Sequence, residues 1–129
     1  MIKPNRDELS RIYGGEIRDV DEAIQVARGL LSRGVGSVCI SFGAKGSMYV
    51  TGDKVYWADS LNIEVKGTVG AGDSMVAGFA IGHLNGISEE ECFRTAVAVA
   101  SGSVSLEGTE VCDQELYEKM LPLVLIEEI

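Results

Sequence analysis

A chain of 129 residues, 46% hydrophobic and 24% charged, has the balance of a folded globular domain rather than of a disordered segment. Eleven Lys and Arg against twenty Asp and Glu leave a net charge of −9, the wrong sign for gripping nucleic acid or an anionic membrane. No signal peptide opens the sequence, no apolar run nears the roughly 18 residues of a membrane span, and Cys39, Cys92 and Cys112 fit neither a CxxC metal site nor a disulfide framework, so a single cytoplasmic domain with reduced cysteines is expected.

Residues 1–5 place a proline at position 4, which forces an extended approach and reads as the end of a strand. Asn5 or Asp7 can cap a short helix through about Tyr13, which Gly14 and Gly15 stop. Asn5 and Glu8, three apart, project from one turn. Two readings are open: a reciprocal capping pair, or an amide and a carboxylate that hold magnesium through its waters. Asp19-x-x-Glu22 is a capping-box pattern, and Ala23, Ile24, Val26, Ala27, Leu30 and Leu31 then recur at helical spacing up to Gly34.

Residues 37–42 are nearly continuously apolar, as a strand buried on both faces requires, and a helix followed by such a strand implies an α/β fold. The Gly43-Ala44-Lys45-Gly46 loop follows at the strand's carboxyl end, where open α/β sheets bind ligands. Lys45 is either a cation for a nucleotide phosphate or a solvated lysine in a plain hairpin. Residues 47–50, 54–58 and 61–65 read as further short strands, with Thr51-Gly52-Asp53 as a turn.

The stretch Gly67-Thr68-Val69-Gly70-Ala71-Gly72-Asp73-Ser74 runs directly into an apolar helix that begins at Ala71 and continues through Leu84. Its backbone N–H groups lie among those a helix start leaves unpaired, with the positive end of the dipole behind them. A carboxylate there repels a phosphate unless it has a chemical task. Asp73 can accept the proton of an attacking hydroxyl while the Gly70, Ala71 and Gly72 amides stabilise a phosphoryl group in flight, which is a kinase arrangement. The alternative is an acid favoured in a first helical turn.

Gly78 and Gly82, four apart, suit close helix packing, and His83 suits the dipole at the helix end rather than catalysis. Ser88-x-x-Glu91 caps a helix rich in small residues, which either admit a flat group such as an adenine ring or allow tight packing. Asp113 can start a last helix through Met120, and residues 121–126 form a tail of strand-like composition. The spacing of a dinucleotide-binding GxGxxG is missing after the first strand.

Taken together, Thr68-Val69-Gly70-Ala71-Gly72-Asp73-Ser74-Met75-Val76-Ala77-Gly78, Asn5-x-x-Glu8 and the loop from Ser41 to Gly46 resemble the PfkB (ribokinase-like) family of carbohydrate kinases. The resemblance implies a ribokinase-like three-layer α/β/α fold with helices flanking a mostly parallel sheet. It implies Asp73 as catalytic base and Gly70, Ala71 and Gly72 as anion hole. Ser41, Phe42, Gly43, Ala44, Lys45, Gly46 and Gly72 would contact ATP, Val97 and Ser101 would line its adenine pocket, and Asn5 and Glu8 would order Mg2+. Gly67 stands where many relatives carry an Asp that helps bind a monovalent cation, so a potassium site is not expected.

Lys3-Pro4-Asn5 and residues 73–78 look most like the hexose-phosphate branch. That implies transfer of phosphate from ATP to fructose 1-phosphate, giving fructose 1,6-bisphosphate, with tagatose 6-phosphate as the alternative substrate. Members of the family are more than twice as long. The chain is therefore expected to be a C-terminal ATP-binding and catalytic half, residues 1–129, without the sugar-binding half and lid. By itself it would be inactive, a nucleotide-binding fragment, with an exposed sheet edge open to a homo-oligomer.

Overall fold

The structure, a computed structural model, describes residues 1–67, 70–106 and 112–129. Met1–Trp57 and Glu127–Ile129 make one unit, and Ala58–Ile126 a second. In the first, Asn5 caps helix α1 (Arg6–Tyr13): its Oδ1 accepts from the Glu8 N–H at 2.8 Å, and Glu8 Oε1 accepts from the Asn5 N–H at 3.1 Å. The reciprocal capping pair is thus formed, and Gly14 closes the helix at φ 85°. Asp19 caps α2 (Val20–Ser32) through Oδ1, but Glu22 completes no box, because its carboxylate accepts instead from the N–H and Nε of Arg18.

Strand β1 (Ser37–Ser41) leads through a 3-10 turn (Gly43–Lys45) into β2 (Gly46–Thr51), then β3 (Lys54–Asp59), with β4 (Ile126–Glu128) last in the sheet order β1-β2-β3-β4. β1 and β2 run antiparallel, Ser37 opposite Thr51 and Ser41 opposite Ser47, because so short a connection cannot make a parallel crossover. Parallel pairing falls at Ile2 with Val38 and Asn5 with Ser41. Residues 2–5 therefore run extended beside β1, as Pro4 foreshadows, but pair with it only through these two isolated bridges. The core of this unit joins Leu9 and Ile17 to Ala23 and Ala27 of α2 and to Val38, Ile40, Met48, Val50 and Val55 of the strands, all essentially without solvent exposure. Burying such side chains supplies roughly 1.5–3 kcal/mol each for the large aliphatics.

In the second unit the strand expected over residues 61–65 is not formed. Ile63 N–H turns back to the Leu61 carbonyl, and the N–H groups of Lys66 and Gly67 both go to the Val104 carbonyl, leaving no ladder to join. Helices α3 (Ala71–Leu84) and α4 (Glu89–Val104) pack closely. A methyl group on Gly78 would stand 2.6 Å from Ala96 Cα, and one on Gly82 2.9 Å from Cys92 Sγ, while Phe79 stacks on Phe93 at 6.1 Å. Asp113 caps α5 (Gln114–Met120). The expected tail strand starts late: Pro122 holds Leu121–Leu123 in a 3-10 turn, and pairing begins only at Ile126. No helix among the described residues is long and apolar enough to cross a membrane.

Candidate active site

Gly70 adopts φ 83° at the N-cap of α3, a left-handed backbone that glycine takes without strain. The first intrahelical bond is Ser74 N–H to the Gly70 carbonyl at 2.9 Å, so the N–H groups of Ala71, Gly72 and Asp73 have no acceptor inside the helix. Side chains of Asn5, Asp19, Ser88 and Asp113 cap the other α-helices, whereas Gly70 has none to offer. The α3 terminus therefore presents amides and a positive dipole end with no side-chain cap.

Asp73 is exposed on the first turn of α3, and its carboxylate has no hydrogen-bond or ion-pair partner among the described residues. A carboxylate held on a rigid helix yet free of partners can accept a proton from a bound hydroxyl. Thr68 and Val69, the start of the signature, lie outside the described residues. On α4, Val97 is 5% exposed and Ser101 half-buried, one turn apart on the same face. His83 is exposed in the last turn of α3, as the dipole reading expects.

In the first unit the structure brings two predicted groups together. The Asn5–Ser41 bridge sets the capped start of α1 beside the start of the phosphate-loop candidate, residues 41–46. That loop is shaped by Gly43 at φ 61° and Gly46 at φ 141°, with Phe42 N–H donating to the Gly46 carbonyl at 2.9 Å. Lys45 is exposed and free of ion pairs among the described residues. Asn5 and Glu8 are both exposed, and the capping box leaves Glu8 Oε2 and spare lone pairs on the other two oxygens. That donor set suits contact with a hydrated divalent ion rather than a protein-only cage. No cluster of three His, Cys, Asp or Glu side chains gathers among the described residues.

Two neighbours of these motifs escape sequence reasoning. Arg6 donates from Nε to the Ile17 carbonyl at 2.8 Å and from Nη2 to the Arg18 carbonyl at 3.4 Å, fastening the α1–α2 connection to the turn that carries Asn5 and Glu8. Its acceptors are main-chain groups, so no residue type marks them. Trp57 packs on Phe42 at 5.4 Å and 47°, bracing the loop from behind. All three cysteines are thiols rather than disulfides; burial pushes Cys39 up to about 12 and also raises Cys92 and Cys112, which Glu89 and Asp113 raise further.

Residues 1–116 match the pfkB family carbohydrate kinases. The chain belongs to that family. It is 40% identical over 115 residues to 1-phosphofructokinase of Haloferax volcanii, and 39% identical over 127 residues to that of Haemophilus influenzae, covering 89% and 98% of this chain. Among solved structures it resembles phosphofructokinase-2 from Escherichia coli in complex with substrates and products, with TM-score 0.87 and 29% identity over 94% of the chain. Arabidopsis thaliana ribokinase complexed with ribose and ATP gives 0.84 and 34% over 93%. The fold is thus ribokinase-like α/β. The chain spans 38% and 41% of the two curated relatives, and 40% of each of the two solved kinases.

Proposed function

We propose that these residues form the phosphoryl-transfer half of an ATP- and Mg2+-dependent sugar-phosphate kinase that converts fructose 1-phosphate to fructose 1,6-bisphosphate. The observation that carries the reading is the uncapped α3 terminus with the free Asp73 carboxylate in its first turn. Family membership and the two 1-phosphofructokinase relatives support it.

In this mechanism Asp73 takes the proton from the sugar 6-hydroxyl as its oxygen bonds to the γ-phosphorus of ATP. The bond to the bridging oxygen breaks and ADP leaves. The amides of Gly70, Ala71 and Gly72 stabilise negative charge on the transferring group, the usual source of catalysis in phosphoryl transfer. Ser41, Phe42, Gly43, Ala44, Lys45 and Gly46 hold ATP phosphates, with Lys45 supplying the cation; Val97 and Ser101 border the adenine. Asn5 and Glu8 would hold Mg2+ through its waters, and the bound ion would supply neutralisation of phosphate charge. Three cysteines held as thiols accord with a reducing compartment such as the cytoplasm.

Because the chain spans about two-fifths of its relatives, this activity is assigned to the protein to which the residues belong. The 129 residues by themselves are expected to bind nucleotide without turnover, since transfer needs both substrates positioned and water excluded. Calorimetry with ATP and Mg2+, run beside a coupled ADP-release assay, tests this. Binding without ADP release supports the reading for the isolated chain; no binding overturns it. With the protein that contains the chain, ADP release with fructose 1-phosphate exceeding that with tagatose 6-phosphate supports the substrate, and the reverse order overturns it.

A further inference from the structure

The turn Gly43–Lys45 buries none of its residues; Gly43, Ala44 and Lys45 are all exposed. A stretch so placed takes its shape from its ends, and Phe42 governs both of them. Its N–H donates to the Gly46 carbonyl at 2.9 Å, and its carbonyl accepts from the Lys45 N–H at 3.3 Å. The β1–β2 register runs only as far as Ser41 opposite Ser47, and Phe42 itself leaves strand geometry, at φ −117° and ψ 32°. The ladder therefore does not hold Phe42 in place, and its ring is the remaining anchor.

That ring packs against the core of the first unit and tilts onto Trp57 at 5.4 Å and 47°. Phe42 directly follows β1, Trp57 belongs to β3, and β2 lies between these strands. Strands two places apart in a sheet are separated by about 10 Å. Two large side chains are needed to meet across that distance, and an aliphatic residue at position 57 would leave the Phe42 ring without its aromatic neighbour.

We propose that Trp57 is a positioning residue for the loop at 41–46: through the Phe42 ring it fixes the turn that offers Lys45 and main-chain amides to the phosphates of ATP. It acts through Phe42 and not by touching the nucleotide. The inference rests on the reading of residues 41–46 as the ATP-phosphate loop. A loop released from its brace spends only part of its time in the binding geometry, which weakens apparent affinity by that fraction and leaves turnover of the bound complex alone.

The test uses the protein that contains this chain, with calorimetry for the affinity of ATP with Mg2+ and steady-state kinetics for both substrates. Trp57→Leu keeps an apolar side chain on the core and removes the ring. It should weaken ATP binding, and raise KM for ATP, by about five- to tenfold, with kcat and KM for the sugar phosphate within about twofold of the parent. Trp57→Phe, which keeps a ring for Phe42 to meet, should restore most of the affinity. Phe42→Leu should match Trp57→Leu, and the double variant should be no weaker than either single one, because both remove the same contact. If Trp57→Leu does not fold, Phe42→Leu and Trp57→Phe carry the same comparison. A residue that only stabilised the fold would lower kcat, through loss of active protein, with ATP affinity unchanged; that result overturns the proposal, as does an additive loss in the double variant. Lys45→Ala separates the two possible failures. Affinity lost in Lys45→Ala but kept in Trp57→Leu overturns this proposal alone, whereas affinity kept in both overturns the phosphate-loop reading with it.

Discussion

Asn5 and Ser41 stand as parallel bridge partners, and the Ser41 N–H donates to the adjacent Pro4 carbonyl at 3.2 Å. This pairing joins the turn carrying Glu8 to the point where β1 gives way to the Gly43–Lys45 turn. Two segments 36 positions apart thereby become one rigid piece of the first unit. On the proposed function, that piece holds magnesium and ATP phosphates in fixed relation.

The capping pair and the magnesium role separate by substitution. Glu8→Gln keeps an oxygen for the Asn5 N–H, so the thermal midpoint should hardly move, while the Mg2+ concentration for half-maximal activity should rise several-fold. Asn5→Ala removes the cap and should cost about 0.5–2 kcal/mol of stability as well. Equal loss of stability in both variants would restrict the motif to helix capping.

Lys45 is exposed and unpaired among the described residues, so its removal disturbs no internal contact. Lys45→Ala should raise KM for ATP by about tenfold with a smaller effect on kcat, as loss of one charge-assisted phosphate contact implies. Steady-state kinetics with ATP varied at saturating sugar phosphate would check it. An unchanged KM would return Lys45 to the solvated hairpin.

Gly78 lies so close to the α4 backbone that a methyl group must push the helices apart, a Cβ there being 2.6 Å from Ala96 Cα. Gly78→Ala should destabilise by about 1–3 kcal/mol, more than the gain of roughly 1 kcal/mol in helix propensity. Chemical denaturation measures the net sign.

Burial raises the Cys39 thiol to about 12 against an ordinary 9.0. The folded state therefore keeps its proton where the unfolded state has lost it. Its contribution to stability is intact below pH 9.0 and declines as pH climbs from there toward about 12. Cys39→Ser should flatten that alkaline decline, and in the native protein Cys39 should resist alkylation at pH 8 while half-buried Cys112 reacts faster.

Helix starts were the most legible part of the chain, because a cap is a local bond between residues two or three apart: Asn5, Asp19, Ser88 and Asp113 each cap the helix expected from them. Gly78 and Gly82 likewise mark a close helix crossing. What could not be read depends on distant partners. Residues 61–65 alternate as a strand would, but the amides that follow bond to Val104 at the end of α4 instead of a ladder. Arg6 serves carbonyls 11 and 12 positions away, and the Phe42–Trp57 contact is equally nonlocal. At the site, the glycine turn and its acid were visible in sequence; that Gly70 leaves α3 uncapped and Asp73 unpartnered required the structure.

The most direct measurement is ADP release driven by fructose 1-phosphate, comparing the protein that contains this chain with its Asp73→Asn variant. Asp73 is exposed and has no partner among the described residues to lose, so the variant should fold and melt like the parent. The account predicts turnover lower by on the order of 10²–10⁴-fold at unchanged stability, the usual size of a general-base effect. Turnover close to that of the parent would contradict it and remove Asp73 from the chemistry.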